Sequence, residues 1–460
     1  MFVRKLQCAR RIGEPGCAAR TEVCEVLANR SYLRSGGISA PIPEWCLSRE
    51  MGTVVDVAQG HGMRRNVPNC GDRQPRRAVL TCWRKACRYG RFLDQARPSI
   101  SIARELCMNL ETSASPADLQ TKNTEPLHWP DRRSDAKVRL SLLDPSASLP
   151  VMIEPSETGL DPQAWAAQNR ENIEALLCRH GAILFRGFGL DSVALFESFA
   201  EALSPGLHGG YGDLPKKEGG RNVYRSTPYP EREMILYHNE SSHLESWPRK
   251  QWFYCELPSK VGGATPLVDI RQMLLHLPAE VVEKFERKAL RYSRTFTMGV
   301  EPSWQSFFGT ELPEVAEARC REQGTSFEWL DADTLQIHTH CPAVIQHPVT
   351  GQSAFFNQVQ LHHPFCLGEE MREDLFDMFG EDRMPRMVSY GDGTPIEDEV
   401  MALLGEAYEA CAVRFQWQKG DLVMLDNMLV AHARDPYEEP RLIAVAMGEM
   451  TTRDAIWPRQ

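Results

Sequence analysis

The sequence predicts a mainly β protein of the α+β class, with a double-stranded β-helix (jelly roll) core and helical insertions. Most of its apolar runs beyond residue 180 are four to seven residues long, and Gly, Pro, Asp or Asn separate them. Many short strands of this kind are typical of closed or double-sheet β architectures. Helical patterns lie between the runs, and 42% hydrophobic with 25% charged residues is the composition of an ordinary globular protein.

The individual elements follow from the spacing of the apolar residues along the chain. Apolar residues at helical spacing predict helices at 163–179, 193–203, 271–288, 313–322, 369–379 and 397–408. Short apolar runs predict strands at 182–188, 234–237, 251–257, 265–268, 290–296, 343–345, 354–356, 412–417, 422–425, 429–433 and 442–447. The glycine-rich, polar stretch 206–220 is predicted to be a loop.

The first quarter of the chain differs from the rest in charge and in pattern. Residues 1–125 contain 20 Lys and Arg against 12 Asp and Glu, whereas the whole chain carries a net charge of −10. Residues 1–107 show no sustained period, so they would bury too little apolar surface to offset their ordering entropy. We predict that 1–107 is an Arg- and Cys-rich, disordered extension or a mis-assigned start before Met108, that 108–160 is a lead-in segment, and that 161–460 is the functional domain.

Several functional classes are disfavoured by what the sequence lacks. It has no run of 18 uncharged apolar residues, so we expect no membrane-spanning helix, and the acidic balance argues against nucleic-acid binding. Phosphate-loop, HExxH and GxSxG motifs are absent. With no CxxC motif and no signal peptide, we expect reduced thiols and a cytoplasmic protein.

Two histidines at strand ends suggest a metal site of the kind that oxygen-using iron enzymes form from two His and one carboxylate. With 13 His and 62 acidic residues, about two His-x-Asp/Glu matches are expected by chance, and two occur, at His238–Glu240 and His243–Glu245. Context favours the first pair, because His238 closes a predicted strand and alternation places Glu240 on the same side. His432 ends a strand that follows the Asp-Asn turn at 426–427. We expect His338, His340, His362 and His363 to be structural.

Arg441 is a candidate for binding a carboxylate near this site. It follows His432 by nine residues and opens the next predicted strand. A planar guanidinium can hold a carboxylate by two parallel hydrogen bonds. Arg434, two residues after His432, is the rival candidate, and its short distance along the strand would limit it to the near end of a co-substrate or to a bound substrate.

Residues from about 160 to 457 resemble the TauD/TfdA group of Fe(II)/2-oxoglutarate-dependent dioxygenases. The resemblance rests on the order and spacing of LFRGF at 184–188, HNE at 238–240, GGATP at 262–266, the Asp-Asn turn with His432, and Pro-Arg at 440–441. It implies a cupin-like jelly roll, with His238, Glu240 and His432 as iron ligands and no further catalytic residue. It also implies that Thr265 and Arg441 bind 2-oxoglutarate, and that Fe(II), 2-oxoglutarate and O₂ take part in the reaction.

Within the group the sequence is most similar to the SyrP-like branch, through the passages 291–294, 302–305, 356–358 and 432–437. That resemblance implies hydroxylation of an unactivated C–H in a small or carrier-tethered amino-acid-like substrate, in antibiotic or nonribosomal peptide biosynthesis. Val445 stands where taurine dioxygenase has the Arg that contacts its sulfonate, which argues against a sulfonate substrate. The carboxylate of Glu240 argues against a halogenase, which needs that position vacant for chloride.

Three alternatives stay open from the residues alone. The chain could be a catabolic dioxygenase of the same group, a non-catalytic jelly-roll binding protein, or a zinc hydrolase with the same two His and one carboxylate. The retained Arg441 argues against the last two. We expect a small-molecule or carrier-protein-tethered substrate as partner, with no nucleic acid and no membrane, and a homo-oligomer is possible.

Overall fold

The computed structural model describes residues 127, 129, 137–210, 216–227, 229–297 and 301–457. The predictions for residues 1–107 and for part of the 206–220 loop therefore fall outside the described residues. The described strands are β1 (Val138–Leu142), β2 (Val151–Pro155), β3 (Ala182–Phe185), β4 (Tyr224–Arg225), β5 (Ile235–His238), β6 (Ser246–Leu257), β7 (Leu267–Asp269), β8 (Leu290–Thr295), β9 (Ser326–Trp329), β10 (Leu335–Cys341), β11 (Val344–Gln346), β12 (Ser353–Phe355), β13 (Arg386–Tyr390), β14 (Ala412–Val413), β15 (Leu422–Asp426), β16 (Val430–Arg434) and β17 (Leu442–Thr452).

The described helices lie between these strands and after the last of them. They are α1 (Pro162–Gln168), α2 (Arg170–His180), α3 (Val193–Leu203), α4 (Ile270–His276), α5 (Ala279–Lys288), α6 (Trp304–Phe308), α7 (Pro313–Glu322), α8 (Val359–His362), α9 (Glu369–Phe379), α10 (Asp398–Cys411) and α11 (Arg453–Ile456), with 3₁₀ turns at Pro364–Leu367 and Glu381–Arg383. None of these helices is long and apolar enough to cross a membrane.

Two sheets form the core and confirm the predicted jelly roll. The larger has the strand order β1-β2-β3-β15-β6-β17-β4, and the smaller has the order β14-β7-β16-β5. Buried side chains of β6, β15 and β17 pack against Leu267 of β7 and Val430 of β16 in one apolar cluster. The cluster therefore joins the two sheets, and β1 and β2 show that the larger sheet begins before residue 161.

Strand β6 shows why the larger sheet is apolar on both faces. Trp252 and Tyr254 pack in the cluster that contains helices α1, α2 and α3. Phe253 and Cys255 pack on the opposite face, in the cluster shared with the smaller sheet. Successive side chains of a strand point to opposite faces, so a continuous apolar run is what a sheet covered on both sides requires.

Several helix boundaries are set by residues that can be identified in the sequence. The predictions at 193–203, 313–322 and 369–379 are confirmed by α3, α7 and α9. Helix α3 starts where the side chain of Ser192 accepts a hydrogen bond from the Leu195 amide. Helix α2 ends at Gly181, which has φ 79°, and a Cβ there would lie 2.6 Å from a Val430 methyl group. Only glycine fits both the backbone and the space at this position.

Several predicted elements are wrong in extent, and three of them are instructive. The helix predicted at 271–288 is two helices, because Pro278 interrupts the hydrogen-bond ladder and becomes the N-cap of α5. The helix predicted at 163–179 is likewise two, divided at Asn169. The strand predicted at 412–417 is only Ala412–Val413. A further sheet has four strands in the order β13-β8-β10-β9, and of these only β8 was predicted. Strand β10 was missed although its residues alternate between apolar and polar types.

Candidate active site

The smaller sheet places His238 opposite His432. His238 ends β5, and it pairs directly with His432 of the antiparallel strand β16. The centroids of the two imidazole rings are 4.3 Å apart. Nδ1 of His238 lies 2.7 Å from the Leu236 carbonyl oxygen. A carbonyl only accepts, so Nδ1 carries the proton and the lone pair of Nε2 is left for a metal.

The carboxylate of Glu240 reaches the same point from the turn after β5, and not from the strand itself. Asn427 fixes this turn: it accepts a hydrogen bond from the Glu240 amide at 2.7 Å and donates its Nδ2 to the Glu240 carbonyl oxygen at 2.9 Å. The side chain of Asn239 donates to the Asn427 carbonyl oxygen at 2.7 Å. The turn that precedes His432 therefore also holds the loop that carries Glu240.

The ligand atoms of His238, Glu240 and His432 all lie within 4.8 Å of one another. In the part of the chain that the structure describes, no other group of three His, Cys, Asp or Glu side chains meets this condition. Burial and the neighbouring His238 lower the pKa of His432 well below its ordinary value, so its ring is neutral and able to bind a metal. Two imidazoles and one carboxylate are the donor set that suits Fe(II) with open positions.

The rival pair His243–Glu245 is not part of this cluster. His243 instead packs against two rings, with its centroid 4.8 Å from that of His362 and 5.8 Å from that of Tyr292. His338 hydrogen-bonds with the hydroxyl of Ser293. These contacts agree with the prediction that the other histidines are structural.

Thr265 and Arg441 lie together at the other end of the site. Nη2 of Arg441 donates to Oγ1 of Thr265 at 3.3 Å, and its Nε donates to the Gly263 carbonyl oxygen at 2.9 Å. Nε1 of Trp417 also donates to Oγ1 of Thr265, at 3.1 Å. Because that oxygen accepts two hydrogen bonds, the hydroxyl proton of Thr265 is free to be donated to a carboxylate.

The side chain of Arg441 is half-buried, and its guanidinium remains a cation. Burial, followed by the charge of Arg434, lowers the pKa of Arg441 to about 10, which is still above neutral pH. Gly263 makes room for it: with φ +74°, a Cβ there would lie 2.9 Å from Cδ of Arg441. A half-buried cation beside a hydroxyl that can donate its proton is suited to an anionic group.

Arg434 points to the same cavity but its guanidinium is largely engaged elsewhere. Its Nη1 donates to the carbonyl oxygen of Tyr229 at 3.1 Å. Its Nη2 donates to the carbonyl oxygens of Pro230 and Glu233 at 2.5 and 2.7 Å. These three bonds tie the segment before β5 to strand β16, which favours Arg441 over Arg434 as the carboxylate-binding residue.

One cavity of about 50 Å³ connects these groups. Its polar side includes the three candidate metal ligands, both arginines and Thr265, and its apolar side includes Phe253, Ile443 and Val445. Trp417 and Gln251 were not singled out by the sequence. Trp417 lies in the wrongly predicted strand, and only the tertiary contact with Thr265 shows its role.

Comparisons with known proteins identify the family of the chain. Residues 146–447 match the family model described as taurine catabolism dioxygenase TauD, TfdA family. The dapdiamide synthesis protein DdaC of Enterobacter agglomerans is 33% identical over 276 residues, which are 60% of this chain and 84% of that protein. A clavaminate synthase-like protein of Arabidopsis thaliana is 28% identical over 321 residues, which are 66% of this chain and 91% of that protein.

Among solved structures, PvcB of Pseudomonas aeruginosa, described as an Fe, alpha-ketoglutarate dependent oxygenase from an isonitrile synthetic pathway, aligns with a TM-score of 0.41. It is 16% identical, and the alignment covers 70% of this chain and 94% of PvcB. The family assignment rests on the sequence matches, which span well over half of the chain. The chain belongs to the TauD/TfdA family and is a non-haem iron dioxygenase that uses Fe(II), 2-oxoglutarate and O₂.

Proposed function

We propose that the enzyme hydroxylates an unactivated C–H of a small or carrier-tethered amino-acid-like substrate in the biosynthesis of an antibiotic or nonribosomal peptide. In this proposal His238, Glu240 and His432 hold Fe(II), while Thr265 and Arg441 bind the distal carboxylate of 2-oxoglutarate. The observation that carries it is that the three ligand side chains and the Thr265–Arg441 pair line one cavity. A zinc hydrolase would have no need for that pair.

Each residue has a separate task in the proposed mechanism. Bound iron supplies the activation of O₂, coupled to the conversion of 2-oxoglutarate to succinate and CO₂. Arg441 and Thr265 fix the co-substrate at its far end by a charged fork and a hydroxyl donor. The apolar side chains of Phe253, Ile443 and Val445 keep water from the reacting centre, which limits side reactions.

Two observations support a biosynthetic substrate over a sulfonate. Val445, which is 3% exposed, forms an apolar part of the cavity wall, and the family resemblance aligns it with the Arg that contacts the sulfonate in taurine dioxygenase. DdaC, whose name assigns it to dapdiamide synthesis, is 33% identical to this chain.

The proposed placement in the SyrP-like branch rests on the sequence passages given above. A cytosolic enzyme is supported by its cysteines, since all six in the described residues are free thiols.

The proposal is tested by measuring succinate release from the purified enzyme with Fe(II), 2-oxoglutarate and O₂. Candidate substrates are free amino acids, the same amino acids as pantetheine thioesters that mimic a carrier arm, and taurine. Stimulation by one of the first two classes, with a product heavier by one oxygen atom, is the expected result. The His238→Ala variant is the matched control and should release none. Stimulation by taurine alone would favour the catabolic alternative.

A further inference from the structure

Gln251 lies beside the candidate metal ligand Glu240 on the inner face of β6. It is 1% exposed and lines the cavity. Its Nε2 donates to Oε2 of Glu240 at 3.3 Å. An ionised carboxylate can only accept, so this contact fixes the orientation of the amide and turns its oxygen away from Glu240.

The amide oxygen of Gln251 is therefore a buried acceptor in need of a donor. Within the described residues, Oε1 of Gln251 has no hydrogen-bond partner. Leaving a buried acceptor without a donor destabilises a protein, so such groups usually have a partner in the functional state. The oxygen belongs to a side chain of the cavity wall, which makes a cavity ligand the available donor.

The chemistry of the reactants narrows the identity of that donor. 2-Oxoglutarate is a dianion at neutral pH and carries only acceptors, and O₂ has no proton to donate. The remaining sources are water held in the site and an N–H or O–H group of the substrate. The two share the same chemistry, a proton donor directed at Oε1.

We propose that Gln251 is a positioning residue with two tasks, an inference that rests on the proposed metal ligands. Its Nε2 holds Oε2 of Glu240 and so restricts the rotation of the carboxylate that would bind the metal. Its own Oε1 binds an N–H or O–H donor in the cavity, either water or the substrate. Removing side chains that orient metal ligands typically weakens metal binding 10- to 100-fold.

The first experiment measures Mn(II) affinity, with Mn(II) as a redox-inert substitute for Fe(II). Gln251→Met preserves size but removes both hydrogen bonds, and we expect its Mn(II) dissociation constant to rise at least about tenfold. The matched control is Gln336→Met. Gln336 is also a buried amide, and it donates to Oγ1 of Thr295 and to the Asp382 carbonyl oxygen in another sheet. That variant should keep the wild-type constant even if its melting temperature falls.

The second experiment is a crystal structure of the wild-type enzyme with Mn(II) and the 2-oxoglutarate analogue N-oxalylglycine. Water within hydrogen-bond distance of Oε1 of Gln251 would identify water as the donor, and a bare Oε1 facing open space would assign the position to substrate. A protein donor on that oxygen, or an amide turned away from Glu240, would overturn the inference. So would an unchanged Mn(II) constant in Gln251→Met. If the wild-type enzyme bound no Mn(II), the proposed ligands themselves would be wrong.

Discussion

His238 and His432 lie directly opposite each other on the antiparallel strands β5 and β16, with ring centroids 4.3 Å apart and ring planes at 53°. The pairing fixes both backbones, so each ring is held by a sheet and not by a loop. Glu240 completes the cluster only because Asn427, in the turn before β16, holds its amide and its carbonyl. A preorganised donor set of this kind is what a metal site needs before the metal arrives.

Loss of either histidine should abolish the metal site. We predict that His238→Ala and His432→Ala lose Fe(II) binding and 2-oxoglutarate turnover, because two ligands remain where three are needed. His243→Ala and His340→Ala should keep measurable activity, since neither side chain belongs to the cluster. The measurements are Fe(II) titration and succinate release. Iron loss in His243→Ala with iron retained in His238→Ala would assign the metal to the pair His243–Glu245.

Arg441→Lys should strongly weaken the binding of 2-oxoglutarate and leave the Fe(II) affinity nearly unchanged. A lysine is a point charge and cannot reproduce the bidentate fork. Loss of a hydrogen bond to a charged group costs about 1.5–3 kcal/mol, which is roughly a ten- to hundredfold rise in the 2-oxoglutarate constant. Arg434→Lys is the comparison variant. Its dissociation constant for 2-oxoglutarate should change less, because the Nη groups of Arg434 bind backbone carbonyls. A larger rise of this constant in Arg434→Lys than in Arg441→Lys, measured by parallel titrations, would identify Arg434 as the residue that binds the carboxylate.

Thr265→Val should also raise the dissociation constant for 2-oxoglutarate, but by less than Arg441→Lys. The substitution keeps the shape and removes a neutral hydroxyl, whose hydrogen bond contributes about 0.5–1.5 kcal/mol, or roughly a two- to twelvefold change. Trp417→Phe should have a smaller effect still, because Trp417 touches Thr265 and acts only through that hydroxyl. Equal effects of both variants on thermal stability, with no change in the constant, would contradict a role in co-substrate binding.

Gly263→Ala should displace Arg441. The added Cβ would lie 2.9 Å from Cδ and 3.0 Å from Nε of Arg441, and φ +74° is unfavourable for alanine. We expect a higher dissociation constant for 2-oxoglutarate, together with a loss of about 1–2 kcal/mol in the free energy of unfolding. Gly159→Ala separates the two causes, since Gly159 has φ +87° and no atom within 4 Å of an added Cβ. That variant should lose stability in thermal unfolding but keep the wild-type dissociation constant in a titration with 2-oxoglutarate.

A chain that begins at Met108 should unfold near the melting temperature of the full chain and keep its activity. Residues 1–107 have no periodic apolar pattern, and among the described residues the first strand of the larger sheet is β1, Val138–Leu142. Calorimetry and succinate release on both chains are the measurements. Protection of residues 1–107 from brief proteolysis, or loss of activity on their removal, would contradict this prediction.

The sequence alone determined the features that depend on neighbouring residues. The helix at 193–203 follows from its apolar spacing and from Ser192 at its start. The two apolar strands on either side of the Asp-Asn turn are likewise local features, because each is a short apolar run ended by turn residues. The family motifs are also readable, since they are short strings in a fixed order, and they identified the residues that the structure brings together.

The tertiary structure decided every contact between distant parts of the chain. Glu240 and Asn427 are 187 residues apart, and only the packing of two sheets makes them partners. Trp417 reaches Thr265, and Gln251 reaches Glu240, through the same packing. Apolar periodicity tells which face of a strand is buried but not which strand it will meet. The candidate metal-binding cluster can therefore be recognised in the sequence only as residue types, and its geometry is set by the register of the folded sheets.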